Sequence, residues 1–404
     1  MNKIRLFLSV IIMIFVLSCT TDISYLKLHS KLFTIDTHCD TPMRLVKGGF
    51  DMAVFHKPGT EGSGQMDFPR MKKGGLDAEF FAVFTGQGPR NPEAHAKIKK
   101  YADQIIDSVK AVCERNSSMA QLVYNPDDAL EVVKRGKIAI FMGMENGYPV
   151  GTDISNVEYF YNRGIRYITL CHTGNNEICD SSTDDEEWHG LSPFGEKVVQ
   201  EMNRLGVIID ISHVSDSTFY DVIKLSKAPV IASHSACRAL CDHPRDMTDD
   251  MIKKLAEKGG VIQICLVSNF IKTPEKNPER EKAIKALKEK YGDYWRLQDN
   301  EKKKEYKKLY GEINKKFPVK RATVKDLVDH IDHVVKLVGI DYVGIGSDFD
   351  GGGGVEGCND VTEFPNITKE LLNRGYSEQD IAKIWGGNFL RVFRDVIAKK
   401  QATN

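Results

Sequence analysis

Neither sign of charge prevails in this chain: 56 lysines and arginines stand against 56 aspartates and glutamates. Without a basic excess there is no electrostatic footprint for nucleic acid or an anionic membrane. Long apolar runs are also missing. The one sustained stretch, Leu6 to Leu17, is about a dozen residues, too short for a comfortable membrane span. No Gly-x-Gly-x-x-Gly follows the first strand-like run, which weakens a dinucleotide-binding fold. No internal repeat and no long low-complexity tract interrupts the chain. What remains, at 404 residues and 41% hydrophobic, is room for one large α/β barrel or two ordinary domains, with a small-molecule enzyme as the best-fitting class.

The N-terminus reads as a targeting segment. Lys3 and Arg5 precede the apolar stretch, and Val16-Leu17-Ser18-Cys19 resembles a bacterial lipobox. Residues 1–18 are thus expected to be a signal peptide of lipoprotein type, with lipid on Cys19 tethering residues 19–404 in the bacterial cell envelope, outside the cytoplasm, facing the periplasm or the surface. Of nine cysteines, eight then remain, an even number in an oxidising compartment. Disulfides are permitted but not assigned; Cys39 and Cys171, next to polar strand-end residues, read as buried free thiols.

Eight strand-like runs can be read: Phe33–Asp40, Leu76–Thr85, Lys137–Glu145, Ile165–Thr173, Val207–Val214, Pro229–Ser235, Val261–Ser268 and Tyr342–Phe349. Most precede a helical pattern. Val324, Leu327, Val328, Ile331, Val334, Val335 and Val338 form one apolar stripe, with Thr323 placed to cap it and Gly339 to end it. Strand–helix alternation eight times over predicts a (β/α)₈ TIM barrel, with a doubly wound open sheet as the alternative. The charged segment of about 273–321, with Tyr291, Tyr294, Trp295, Tyr306 and Tyr310 interleaved, breaks the alternation before the last run. It reads as a solvated helical arm, or as a lid or homodimer contact, since it leaves the face where barrel enzymes keep their sites.

Metal-capable side chains close these runs one or two at a time: His38 and Asp40, then Glu145, His213 and His234. Three imidazoles and two carboxylates suffice for two divalent ions with positions left open. Alternation along a strand puts His38 with Asp40, Glu145 with Gly143 and Phe141, His213 with Ile209 and Ile211, and His234 with Val230 and Ala232. Taken singly, His38 with Asp40 reads as a turn pair, His213 and His234 as satisfied core residues, and Glu145 as a turn cap. Gly143 leaves space beneath Glu145, and Gly344 and Gly346 leave the floor open beneath Asp348. Asp348 reads as a ligand or a proton shuttle, and His172 as a hydrogen-bond donor to an oxyanion. His330 and His333 read as surface or packing residues, and His29, His56, His95 and His189 have no ligand context.

Asp-Thr-His-Cys-Asp-Thr-Pro, Gly-Met-Glu-Asn-Gly, Thr-Leu-Cys-His-Thr, Gly-Leu-Ser-Pro-Phe-Gly, Asp-Ile-Ser-His-Val, Ser-His-Ser, Gly-Ser-Asp-Phe-Asp-Gly and Gly-Gly-Asn-Phe-Leu-Arg-Val occur here in this order. Together they make the chain, from Asp36 to Phe393, resemble the membrane (renal) dipeptidase family of amidohydrolase-like metallopeptidases. The resemblance implies two zinc ions bridged by Glu145, one held by His38 and Asp40, the other by His213 and His234. It implies Asp348 as proton donor to the leaving amine and His172 as a contact to the substrate carbonyl. It also implies an arginine for the dipeptide's terminal carboxylate, matched by Arg245, with Arg238 as competitor in the same loop. The expected activity is zinc-dependent hydrolysis of dipeptides, tolerating a D-residue at the C-terminal position. The alternatives are a related amidohydrolase acting on another amide or lactam with a free carboxylate, and a non-catalytic lipid-anchored binding protein. The family's mammalian members are stapled by disulfides; here only Cys241 occupies such a position, and Thr273 stands at its partner's place.

Overall fold

A computed structural model of the chain describes residues 25–292, 294, 297 and 299–400. The signal segment, Cys19 and Trp295 lie outside the described residues. Nine strands form one all-parallel sheet: β1 (Ile35–Cys39), β2 (Ala78–Phe84), β3 (Ala120–Leu122), β4 (Ile138–Glu145), β5 (Ile165–Thr169), β6 (Ile208–Asp210), β7 (Ile231–Ser235), β8 (Val261–Cys265) and β9 (Val343–Gly346). All eight expected runs are present, each shorter than read. The short β3 was not expected; it pairs with Ile138–Ile140 of β4, ahead of the point where β5 joins at Met142.

The hydrogen-bonded order is β1-β2-β4-β5-β6-β7-β8-β9. The two ends then meet: Asp40 N donates to Phe349 O at 2.8 Å and Asp348 N to His38 O at 2.9 Å. An eight-stranded parallel ring with helices outside is the (β/α)₈ barrel. Its interior is a packed layer. Ile35, Ala78, Phe80, Phe141, Tyr167, Ile208, Ile231 and Val261 form one buried cluster with Phe389 and Phe393 of the helix Asn388–Ala398. The opposite strand faces, such as Phe81, Ile140, Ile209 and Ile262, pack against helix residues such as Ile105 and Ile331 in the outer layer.

Local signals set the helix ends. Thr323 accepts from Asp326 N while Asp326 accepts from Thr323 N, a reciprocal cap opening Val324–Val338, and Gly339 follows at φ +98°. The charged segment leaves the C-terminal end of β8 through the short helix Ser268–Ile271 and forms two helices, Pro278–Tyr291 and Asn300–Lys316. Tyr306 is buried between Tyr291, Tyr294 and Tyr310, so the aromatic residues hold this arm together. The eight described cysteines are all free and buried. Cys241 Sγ lies 3.5 Å from Thr273 Oγ1, so a hydroxyl occupies the place a second thiol would take. Among the described residues no helix is long and apolar enough to cross a membrane.

Candidate metal centre and active site

The expected ligands converge at the C-terminal ends of the strands. Glu145, the last residue of β4, is their hub. Its Oε1 lies 3.1 Å from His213 Nε2, 3.5 Å from His234 Nε2 and 3.6 Å from His172 Nε2; its Oε2 lies 3.4 Å from His38 Nε2. His38 Nε2 is also 3.7 Å from Asp40 Oδ2. Three sets of ligand atoms fall within 4.8 Å of one another: His38, Glu145 and His234; Glu145, His172 and His213; His38, Asp40 and Asp348. Every sequence-predicted site residue except Arg245 belongs to one of them.

Strand alternation accounts for Glu145 but not for the histidines. Glu145 shares its face with Phe141, inside the barrel. In β1, Asp36 pairs with Glu79 and Cys39 with Phe81, so an irregularity falls between them and turns His38 inward. β7 repeats the device: Ala232 pairs with Ile262 and Ser235 with Ile264, both on the outer side, and His234 sits in the bulge between. A bulge next to an active site re-aims a side chain. His213 lies three residues past β6 at φ +71°, and Asp348 two past β9 at φ +57°. Non-glycine residues in this region store strain that the surrounding packing must hold.

The glycine expectations are corrected in the same way. A Cβ on Gly143 would fall 2.0 Å from the Tyr167 ring. The space beneath Glu145 is therefore filled, by the ring whose Oη lies 2.8 Å from His38 Nδ1. Likewise Gly344 makes room for Gln263 Oε1, and Gly346 for the Ser233 carbonyl and the Thr37 hydroxyl, so no open floor lies below Asp348.

The electrostatics suit a cation. Burial pushes His213 and His234 well below their ordinary range, leaving the neutral rings that ligate metals. Burial works against the Glu145 carboxylate, yet the neighbouring His38 and His172 and the facing rings of His213 and His234 outweigh it and hold its pKa well below the usual value. Burial and then the Asp40 carboxylate push Asp348 well up, and burial lowers His172. Among the described residues, His38 Nε2 and Asp40 Oδ1 are buried without a hydrogen-bond partner. Orphaned buried atoms of ligand type, one of them, His38 Nε2, facing the Glu145 carboxylate, fit a divalent metal.

Arg245 and Arg238 separate cleanly. Arg238 is spent on Asp216, with two contacts of 2.7 Å. Arg245 is 5% exposed, donates from Nη2 to His234 O at 3.0 Å, lies 5.4 Å from the Phe270 ring, and keeps Nε without a partner. His330 is a packing residue, bonded to Cys237 N and Ile271 O, and His29 is buried against Thr368 and Gly74.

A family model described as membrane dipeptidase (peptidase family M19) matches residues 24–404. The chain belongs to the membrane dipeptidase family. It is 32% identical over 369 residues to dipeptidase tcpJ of Claviceps purpurea, covering 89% of this chain and 76% of that one. It superposes with TM-score 0.82 on the probable dipeptidase PvdM from Pseudomonas aeruginosa, 32% identical, covering 94% and 99% of the two chains. A metallo peptidase from Rhodobacter sphaeroides, solved with a phosphinate mimic of L-Ala-D-Ala, shares the fold at TM-score 0.71 and 22% identity, covering 90% and 99%. Membership makes the chain a dipeptidase-type metallopeptidase and gives the cluster around Glu145 its chemical context.

Sequence reading missed several residues that shape the site. Tyr167 lay inside an apolar run and read as core. Asp210 and Ser233 are polar, wholly buried and one strand apart. A polar residue at an inward position just before a strand-end histidine is the signal that could have found them.

Proposed function

We propose that this protein is a zinc dipeptidase that binds two ions per chain. The observation that carries the reading is the convergence of His38, His213 and His234 on Glu145, with Asp40 beside His38 and Arg245 buried alongside. His38 and Asp40 would hold one ion, His213 and His234 the other, and Glu145 both. When bound, such ions supply Lewis acidity that lowers the pKa of water and polarises a carbonyl.

The chain's own groups do the rest. Arg245 takes the substrate's terminal carboxylate through its free guanidinium edge, which restricts substrates to those with that group near the scissile bond. His172, kept neutral by burial, donates a hydrogen bond to the carbonyl oxygen as charge develops on it. Asp348 carries the proton from the attacking water to the departing nitrogen. Its pKa, raised by burial and Asp40, suits a group that must hold a proton before releasing it. We further infer lipid attachment at Cys19 and an envelope location, on the N-terminal pattern alone.

The test is release of free amino acids from a dipeptide panel by the zinc-loaded protein. The panel includes L-Ala-D-Ala, N-acetylated dipeptides and C-amidated dipeptides. Cleavage of free dipeptides with loss on C-amidation supports the reading; inertness toward every dipeptide rejects it.

A further inference from the structure

Behind His234 the hydrogen bonds form a chain through Ser233 to Asp210. Asp210 closes β6 and is completely buried. It receives four hydrogen bonds. Its Oδ2 accepts from Thr169 Oγ1 at 2.5 Å and Ser233 Oγ at 2.6 Å; its Oδ1 accepts from Ser233 N at 2.8 Å and Ser212 N at 3.0 Å. Four donors, two of them backbone N–H groups, surround both oxygens, so Asp210 acts as an acceptor.

Ser233 has a single hydroxyl proton. Its strongest acceptor is Asp210, since the remaining neighbour of its Oγ other than His234 is Ser212 Oγ at 3.4 Å. With that proton committed, Ser233 Oγ faces His234 Nδ1 at 2.8 Å with a lone pair. The hydrogen bond then requires the proton on Nδ1, which leaves the lone pair of His234 on Nε2, the atom 3.5 Å from Glu145 Oε1. Tyr167 beside His38 Nδ1 cannot impose such an order by itself, because a phenol both donates and accepts.

We infer that Asp210 and Ser233 are positioning residues for metal binding, forming a relay that fixes the tautomer and orientation of His234. A carboxylate behind a ligating imidazole also makes that ring a stronger donor to a metal. Here the carboxylate acts through a serine hydroxyl. The relay crosses three neighbouring strand ends, β5, β6 and β7, and it passes through the bulge that turns His234 inward. The same hydrogen bonds therefore stabilise the irregular backbone and set the protonation of the ligand it presents. His234 N donating to Ser212 Oγ at 3.1 Å adds a second tie to β6.

This inference rests on the proposed role of His234 as a ligand, and the experiment separates the two. Zinc affinity of the metal-free protein is measured by competition with a chromophoric chelator, for wild type, His234→Gln, Ser233→Ala, Asp210→Asn and the Ser233→Ala/Asp210→Asn double variant. The melting temperature of each metal-free form reports folding. The expected result is loss of one zinc equivalent in His234→Gln. Ser233→Ala and Asp210→Asn each weaken that same equivalent by roughly 10- to 100-fold. The double variant is no worse than the more affected single variant, because both substitutions break one chain of bonds. If Asp210→Asn does not fold, Ser233→Ala decides alone. Wild-type affinity for both zincs in Ser233→Ala, alongside loss in His234→Gln, overturns the relay. Two zincs retained by His234→Gln overturns instead the assignment of the site.

Discussion

The peptide N–H of Asp348 donates to the carbonyl oxygen of His38 across 2.9 Å. One residue belongs to the end of β1, the other follows β9, and their bond helps close the barrel. The closing seam and the site thus coincide. Asp36 reinforces it, its Oδ1 accepting from Ser347 N at 2.7 Å and His38 N at 3.3 Å. Site residues scattered over more than 300 positions, from His38 to Asp348, are brought together where the ring closes.

Glu145→Gln tests the hub. The amide keeps the shape but removes the charge that His213, His234 and His38 surround. Hydrolysis should fall by roughly a hundredfold to a thousandfold, the range seen when a charge-stabilising group is lost from an active site, and fewer than two zinc ions should be retained per chain. Full metal content with unchanged turnover would contradict the hub.

Arg245→Ala and Arg238→Ala form a matched pair. A hydrogen bond to a charged group contributes about 1.5–3 kcal/mol, so Arg245→Ala should raise KM roughly tenfold to a hundredfold. Arg238→Ala breaks the bond to Asp216 and should leave KM within about threefold of wild type, since surface ion pairs contribute little. Steady-state kinetics on one dipeptide reads both; the reverse ranking would exchange the two arginines.

His29 gives a pH signature of stability remote from the metals. Burial lowers its pKa to about 4, against the opposing Gly74 carbonyl. The unfolded chain takes up the proton near 6.5, the folded chain only near 4. Stability from the neutral buried ring is therefore complete above pH 6.5 and is lost as pH falls toward 4. Relative to His29→Gln, the wild type should lose up to about 3 kcal/mol across that window. Denaturant melts at pH 7 and pH 4.5 measure the difference; a constant gap between the two proteins would refute it.

Thr273→Cys should restore a covalent tie. The hydroxyl already lies 3.5 Å from Cys241 Sγ, so a thiol there is positioned to pair, and the enclosed loop predicts about 3–4 kcal/mol of stabilisation. Thiol counting after mild oxidation should find two fewer free thiols, with a melting temperature that returns to wild type on reduction. Thiols that stay free would show that the two backbones are too far apart.

The eight barrel strands were legible because buried parallel strands are nearly continuous apolar runs bounded by glycine and polar residues. β3 was not, because three residues carry no periodicity. The ligands were legible as polar residues ending such runs, but their directions were not. The bulges holding His38 and His234 and the left-handed backbone at His213 invert the alternation locally, and a two-residue period cannot register an inserted residue. Gly143 was read as empty space, whereas the neighbouring strand fills it with Tyr167. Such pairings depend on register between strands, which one strand's sequence does not specify.

The central claim is that two zinc ions gathered around Glu145 make this chain a dipeptidase. Stepwise zinc addition to the metal-free protein, followed by amino-acid release from L-Ala-D-Ala and from an L,L-dipeptide, tests it most directly. Activity should be absent without zinc and reach its plateau at two equivalents per chain. A plateau at one equivalent, hydrolysis indifferent to zinc, or no release at any loading would contradict it.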